Sequence, residues 1–197
     1  YARDPNKDKG KEYIFGIDVA RERDSTAISI IEIGYPSKLV CLFELENRAF
    51  PEQAKLILQL VEKFNPNLIY MDEFGGGQTL RDHLADPASV GWPATSKIVS
   101  VEDPLGFSGK RILKLCNFNP AFIEDANNNT KTLLEQGMIK LPAANHPIEG
   151  YRKGNMRGMN KEVDLVQELI NQVASIVVTP TTTGRLHYDL PKTAANS

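Results

Sequence analysis

Residues 13–20, Tyr-Ile-Phe-Gly-Ile-Asp-Val-Ala, form an apolar run broken by a single carboxylate, Asp18. So little alternation over such a length is the pattern of a strand covered on both faces at the centre of a sheet. After the polar turn Arg21-Glu22-Arg23-Asp24, the β-branched segment 26–33 returns antiparallel, and residues 38–47 add a third strand beyond the Gly34-Tyr35-Pro36-Ser37 turn. The chain therefore opens as a three-stranded antiparallel meander. Asp18 stands at the end of its first strand, where a carboxylate beside a core requires a cation, hydrogen-bond donors or solvent.

A second strand end repeats the feature. Pro51 and Glu52 open a helix, since proline suits the first helical turn and an acid there complements the dipole. Ala54, Ile57, Leu58, Val61 and Phe64 supply its apolar stripe. Asn65-Pro66-Asn67 stops it, and the short apolar strand Leu68-Ile69-Tyr70-Met71 again ends on a carboxylate, Asp72. A strand, a crossover helix and another strand favour parallel pairing, which would lay residues 68–72 beside residues 13–18 and bring Asp72 to Asp18. Glu73 points to the opposite face by strand alternation and is an accessory at most. Asp24 is read as a turn former.

Beyond Asp72, Gly75-Gly76-Gly77 leads into a short helix, residues 78–84, whose start is either an anion-receiving terminus or a flexible turn. Residues 97–101 are a further strand. The loop 106–111 leads to the apolar-periodic segment 112–116, a loop-helix junction that carries Lys110, Arg111 and Lys114. Asn127-Asn128-Asn129 is expected to cap a helix through Gln136, with Gly137 as its stop and residues 139–142 as an edge strand. Residues 143–160 read as a polar loop holding Arg152, Lys153 and Arg157, with Lys161 just beyond. Residues 163–177 carry the stripe of a last helix, and residues 185–190 a last strand or hairpin arm.

A chain of 197 residues suits one α/β domain, here residues 12–197, preceded by a charged linker or tail at residues 1–11. A net charge of -2 points to no polyanion partner overall, so any nucleic-acid site must be a local basic patch. Cys41 and Cys116 lie in apolar segments without metal-ligand spacing and read as buried free thiols of a reducing compartment. No apolar run is long enough for a membrane span and no secretory leader is visible, so a cytoplasmic protein is expected. His83, His146 and His187 show no zinc spacing. His187 and Asp189 share one strand face and are the in-chain candidates for a third metal ligand.

Two strand-end carboxylates are the donors that magnesium and manganese prefer, and two such ions can activate water and stabilise a leaving oxygen in phosphodiester cleavage. Three segments together carry a resemblance. These are Gly16-Ile17-Asp18 with its Asp24-Ser25-Thr26-Ala27-Ile28 return, Tyr70-Met71-Asp72 before a glycine run, and Glu135-Gln136-Gly137-Met138-Ile139-Lys140-Leu141-Pro142. In order and spacing they resemble the nuclease domain of the large terminase subunit of tailed phages. The resemblance implies a ribonuclease H-like mixed sheet, the antiparallel meander joined to parallel strands and flanked by helices. It implies metal-dependent cutting of concatemeric double-stranded DNA in the infected host cell, with Asp18 and Asp72 as catalytic ligands of two magnesium or manganese ions.

The family's third acidic ligand usually opens a C-terminal helix. Residues 191–197 resemble the lead-in to that helix, which places the third ligand beyond Ser197. An ATPase motor domain, a small terminase subunit and a portal protein are the partners the resemblance implies. The motor's phosphate-binding pattern is absent, since residues 106–111 lack its spacing. DNA contacts would fall to Arg21, Arg23, Lys110, Arg111, Lys114, Arg152, Lys153, Arg157 and Lys161, which position phosphates without reading sequence. Two other functions fit parts of the same pattern: a non-catalytic DNA-binding or assembly module, and an actin-like ATPase or sugar kinase fragment, whose opening hairpin is similar.

Overall fold

The computed structural model describes residues 10–20, 25–104, 108–142, 152–153, 165–180 and 186–189, with the backbone alone at 152, 153, 187 and 189. Strands β1 (Tyr13–Asp18), β2 (Ser25–Glu32) and β3 (Ser37–Glu46) form the expected antiparallel meander. Helix α1 (Phe50–Phe64) crosses over, and β4 (Leu68–Asp72) pairs parallel to β1. The crossover ends where Asn65 adopts a left-handed conformation, φ 48°, and returns its N–H to the carbonyl of Val61. Helix α2 (Gly77–Ala85) and two short 3-10 turns lead to β5 (Ile98–Ser100) and β6 (Lys110–Cys116), both parallel to β4. With β7 (Ile139–Lys140) the order is β5-β6-β4-β1-β2-β3-β7, and β8 (Arg152–Lys153) also pairs with β3. A separate two-stranded sheet joins β9 (Val177–Pro180) to β10 (Leu186–Asp189).

The core lies on one side of this mixed sheet. Phe15, Ile17, Ile28, Ile30, Ile69, Met71 and Leu113 pack with Ala54, Ile57 and Leu58 of α1 and Leu80 and Leu84 of α2, all essentially inaccessible. Complete burial of side chains this size is worth roughly 1.5–3 kcal/mol each, which makes this face the principal source of stability. β1 departs from the expectation of burial on both faces. Tyr13, Phe15 and Ile17 are buried, Ile14 and Gly16 are partly covered, and Asp18 is exposed. The alternation was hidden in the sequence because the half-covered positions Ile14 and Gly16 are themselves apolar.

Four further expectations change. Lys110, Arg111 and Lys114 lie on a strand, β6, and not at a loop-helix junction, because a parallel partner on each side accepts this segment. Helix α3 (Pro120–Glu135) starts well before the asparagine triplet. Its cap is Asn119, whose side chain accepts from the Phe122 N–H at 3.0 Å, and Pro120 takes the first turn. Asn127 to Asn129 sit inside the helix, where Asn127 donates back to the Ile123 carbonyl at 2.8 Å. Helix α4 (Leu165–Ser175) stops short of Val177, which opens β9, and Arg152 and Lys153 form β8 where a loop is expected. Among the described residues no helix is long and apolar enough to cross a membrane.

Candidate functional site

β1 and β4 are adjacent at the centre of the sheet, with Ile14 opposite Leu68, Gly16 opposite Tyr70 and Ile17 opposite Met71. One residue further along this register stand Asp18 and Asp72, on the face away from the buried side chains of α1 and α2. Neighbouring strands lie about 4.8 Å apart, so the two carboxylates leave the sheet side by side. The Asp72 Oδ1 accepts from the Phe74 N–H at 3.0 Å, which fixes the first bend of the chain after the strand. Asp72 also pairs laterally with Cys116, the last residue of β6, and the Glu73 N–H donates to the Cys116 carbonyl at 3.0 Å.

The turn after Asp72 explains the glycine run. A Cβ on Gly77 would stand 1.8 Å from the Asp72 carbonyl oxygen, and one on Gly76 would stand 2.3 Å from the Phe50 ring. Gly75 adopts φ 64°, and its hydrogen approaches the Val19 carbonyl where a Cβ would come to 2.4 Å. The run is therefore a close-packed corner that ties the ends of β1 and β4 together. On the other side, Thr26 anchors the exit of β1. It is 1% exposed, its hydroxyl accepts from the Ala20 N–H at 3.1 Å and donates to the Gln53 Oε1 at 3.0 Å, and the Gln53 amide donates to the Arg48 carbonyl.

The expected cations divide between the two ends of the sheet. Lys114 is exposed, pairs laterally with Tyr70 on the face that carries Asp72, and holds its Nζ 5.9 Å from the Tyr70 ring centroid. Arg152 and Lys153 also lie at the acidic end, because Asp18 aligns with Ala27, Ala27 with Glu44 and Glu44 with Lys153 across four strands. Lys110 begins β6 at the other end, six residues before Cys116, a displacement of roughly 20 Å along a strand. It donates to the Asn65 side chain, and burial lowers its pKa below the usual lysine value. Arg111 donates to the Asp103 carbonyl at 2.7 Å and to the Pro104 carbonyl, holding the loop that joins β5 to β6. Arg21, Arg23, Asp24, His146, Arg157 and Lys161 lie outside the described residues.

Among the described residues no group of three or more His, Cys, Asp or Glu side chains could hold a metal ion. Glu73 is engaged by the Gln78 amide at 3.3 Å, and the His83 Nδ1 by the Ser89 hydroxyl at 3.2 Å. The backbones of His187 and Asp189 pair with Thr179 and Val177 in the two-stranded sheet, and their side chains are outside the described set. Cys41 and Cys116 are buried and free. Burial pushes the Cys41 thiol up to about 11, and burial likewise raises Cys116. Sequence reasoning did not single out Glu44, which shares the acidic face two strands from Asp18; its only sequence signal was its place in an alternating strand.

No family model matches the chain, and no curated protein matches it in sequence. Solved structures do match in shape. The large terminase nuclease from thermophilic phage G20c superposes with a TM-score of 0.60 at 12% identity, covering 93% of this chain and 74% of that one. The same nuclease with bound magnesium gives 0.59 at 12%, covering 92% and 72%. The nuclease domain of the large terminase subunit of bacterial virus Sf6 gives 0.53 at 13%, covering 95% and 83%. With its antiparallel meander, parallel extension and flanking helices, the chain has the ribonuclease H-like fold shared by the nuclease domains of phage large terminases.

Proposed function

We propose that the chain is a metal-dependent DNA endonuclease domain of a viral packaging terminase, cutting concatemeric double-stranded DNA by two-metal phosphodiester hydrolysis. The observation that carries this reading is the pair Asp18 and Asp72, one residue past the Ile17–Met71 register on the open face of the two central strands. Strand-end carboxylates offer the hard oxygen donors that magnesium and manganese select, so this donor set fits such ions. When bound, they would supply Lewis-acid stabilisation and water activation. A third donor completes the set in this reading, and Asp189 and His187 are its in-chain candidates.

The remaining work belongs to the protein. Lys114, Arg152 and Lys153 would engage DNA phosphates beside the acids, a sequence-independent attraction that weakens steeply with salt. Lys110 and Arg111 contribute less in this reading, since their strand positions lie at the far end and both are engaged internally. The likeness to phage nuclease domains supports the assignment, one of them having been solved with magnesium. By the same reading, the working assembly includes an ATPase motor, a small terminase subunit and a portal.

The test is cleavage of plasmid DNA with manganese, with and without a chelator, alongside Asp18→Asn and Asp72→Asn. Chelator-sensitive nicking that disappears in both variants is the expected result. Asparagine keeps an oxygen to accept from the Phe74 N–H, so the fold should survive the second change. Cutting at the unmodified rate by either variant would refute the site. DNA binding without any cutting would instead assign the chain to a non-catalytic packaging module.

A further inference from the structure

Exposed aromatic rings gather at the acidic end of the sheet. Among the described residues the exposed large aromatics are Tyr35, Tyr70, Phe74, Phe118 and Phe122, and all but Tyr35 lie close to Asp72 in the chain or across the sheet. Tyr70, 38% exposed, precedes Asp72 by two residues on the same face; Phe74, 57% exposed, follows it by two. Phe118 and Phe122, each 39% exposed, follow Cys116, the lateral partner of Asp72. One strand spacing and two residues of chain put the Phe118 backbone within about 12 Å of Asp72. Single exposed apolar side chains are ordinary, but a cluster beside a candidate site calls for a ligand.

The geometry of the phenylalanine pair is unlike that of the core. Tyr13 and Phe15 meet Phe64 edge-on, at 73° and 79°. Phe118 and Phe122 stack on each other at 15°, with centroids 5.2 Å apart, a near-parallel aromatic stack whose outer faces remain for a further ring. The pair spans the Asn119 cap, Phe118 just before it and Phe122 at the third helical position, one short of the partner in a hydrophobic staple; two aliphatic side chains would bridge the cap equally. It does not glue α3 to the core, because no residue of that helix is buried. Lys114, over the Tyr70 ring, sets a cation among the aromatics. Cations interleaved with stacking rings are the combination that holds single-stranded nucleic acid.

We propose that Tyr70, Phe74, Phe118 and Phe122 form a stacking platform for unpaired DNA bases, adjoining the position where ions held by Asp18 and Asp72 would engage the scissile phosphate. The preferred substrate is then a duplex with an opened, gapped or flapped segment at the cut, not a continuous duplex. This deepens the nuclease reading and rests on it for the position of the phosphate.

The test is fluorescence anisotropy with a labelled oligothymidine and a labelled hairpin duplex, in chelator so that no cutting occurs. Phe118→Leu/Phe122→Leu keeps an apolar contact across the cap but removes the flat faces, and Phe74→Leu lies outside α3 and guards against a folding defect there. Both variants are expected to lose single-strand affinity by about tenfold or more, with thermal stability and duplex affinity unchanged. Equal losses on both probes, or no loss on the oligothymidine, would overturn the platform. Plasmid cutting is scored separately. Cutting that persists while single-strand affinity is unmoved refutes the platform alone, and single-strand binding by the rings without cutting refutes the nuclease reading.

Discussion

Gly77→Ala sets two forces of opposite sign against each other. Gly77 opens α2 without a left-handed backbone, so helix propensity favours alanine there, by up to about 1 kcal/mol. The added methyl, however, would stand 1.8 Å from the Asp72 carbonyl oxygen. An ordinary contact begins near 3.4 Å, so the carbonyl and the helix must separate by 3.4 − 1.8 = 1.6 Å. Backbone cannot give that distance cheaply in a close-packed corner, and overpacking of this kind costs about 1–3 kcal/mol. Steric cost wins. For a domain of this size a net loss near 2 kcal/mol lowers Tm by about 4–8 °C, readable by calorimetry or by the urea midpoint. In the nuclease reading the same shift displaces Asp72, and a misplacement near 1 Å costs about a hundredfold in rate. Gly91→Ala is the control, since Gly91 has φ 73° but no atom within 4 Å of its added methyl: it loses some stability and keeps its cutting. A Gly77→Ala protein as stable as the unmodified one would show that the corner is not tight, and the account of the glycine run would fall.

Thr26→Val keeps shape but strands the Ala20 N–H and the Gln53 carbonyl oxygen, and a loss of about 1–3 kcal/mol in urea denaturation is expected. A change within a few tenths would show that solvent reaches these groups. The Cys41 thiol, raised to about 11 by burial, should resist aromatic disulfide reagents at neutral pH until denaturant is added. Its folded value lies above the 9.0 of an unburied thiol, so stability is full below pH 9, falls between pH 9 and 11, and loses about 2–3 kcal/mol in all, a decline that Cys41→Ala should flatten. Lys114→Gln should reduce the slope of log affinity for duplex DNA against log salt by about one, while Lys110→Gln leaves it unchanged. Equal effects of the two would mean that DNA spans both ends of the sheet.

The parts of this molecule legible in its sequence are those where local chemistry and tertiary role agree. The meander, the α1 crossover and the parallel β1–β4 pair follow from β-branched runs, turn residues and a helical stripe closed at both ends, and each stands where expected. β6 was missed because Lys110-Arg111-Ile112-Leu113-Lys114-Leu115-Cys116 lacks clean period two; Ile112 and Leu113 are adjacent and both buried. Only lateral partners make it a strand. The start of α3 was misplaced because asparagines favour caps, whereas Asn119 with Pro120 outcompetes the later triplet. Arg111 reads as a phosphate contact because charge is visible in sequence, whereas the fold that brings the Asp103 carbonyl to 2.7 Å of its guanidinium is not.

The two acids show why a strand end is informative when it recurs. A carboxylate that closes one apolar strand can be absorbed by a turn, as the Phe74 N–H absorbs one oxygen of Asp72. Parallel pairing then imposes a constraint that neither strand carries alone, because strands running in the same direction finish at the same edge. Register decides the rest. A one-residue slip would send Asp72 to the core face, where Met71 is fully buried, so the packing of Phe15, Ile69 and Met71 under α1 and α2 is what holds both acids on the open side. The hydrophobic face thus sets the geometry of the polar one. Changes to those buried side chains should reach the site through register rather than through contact.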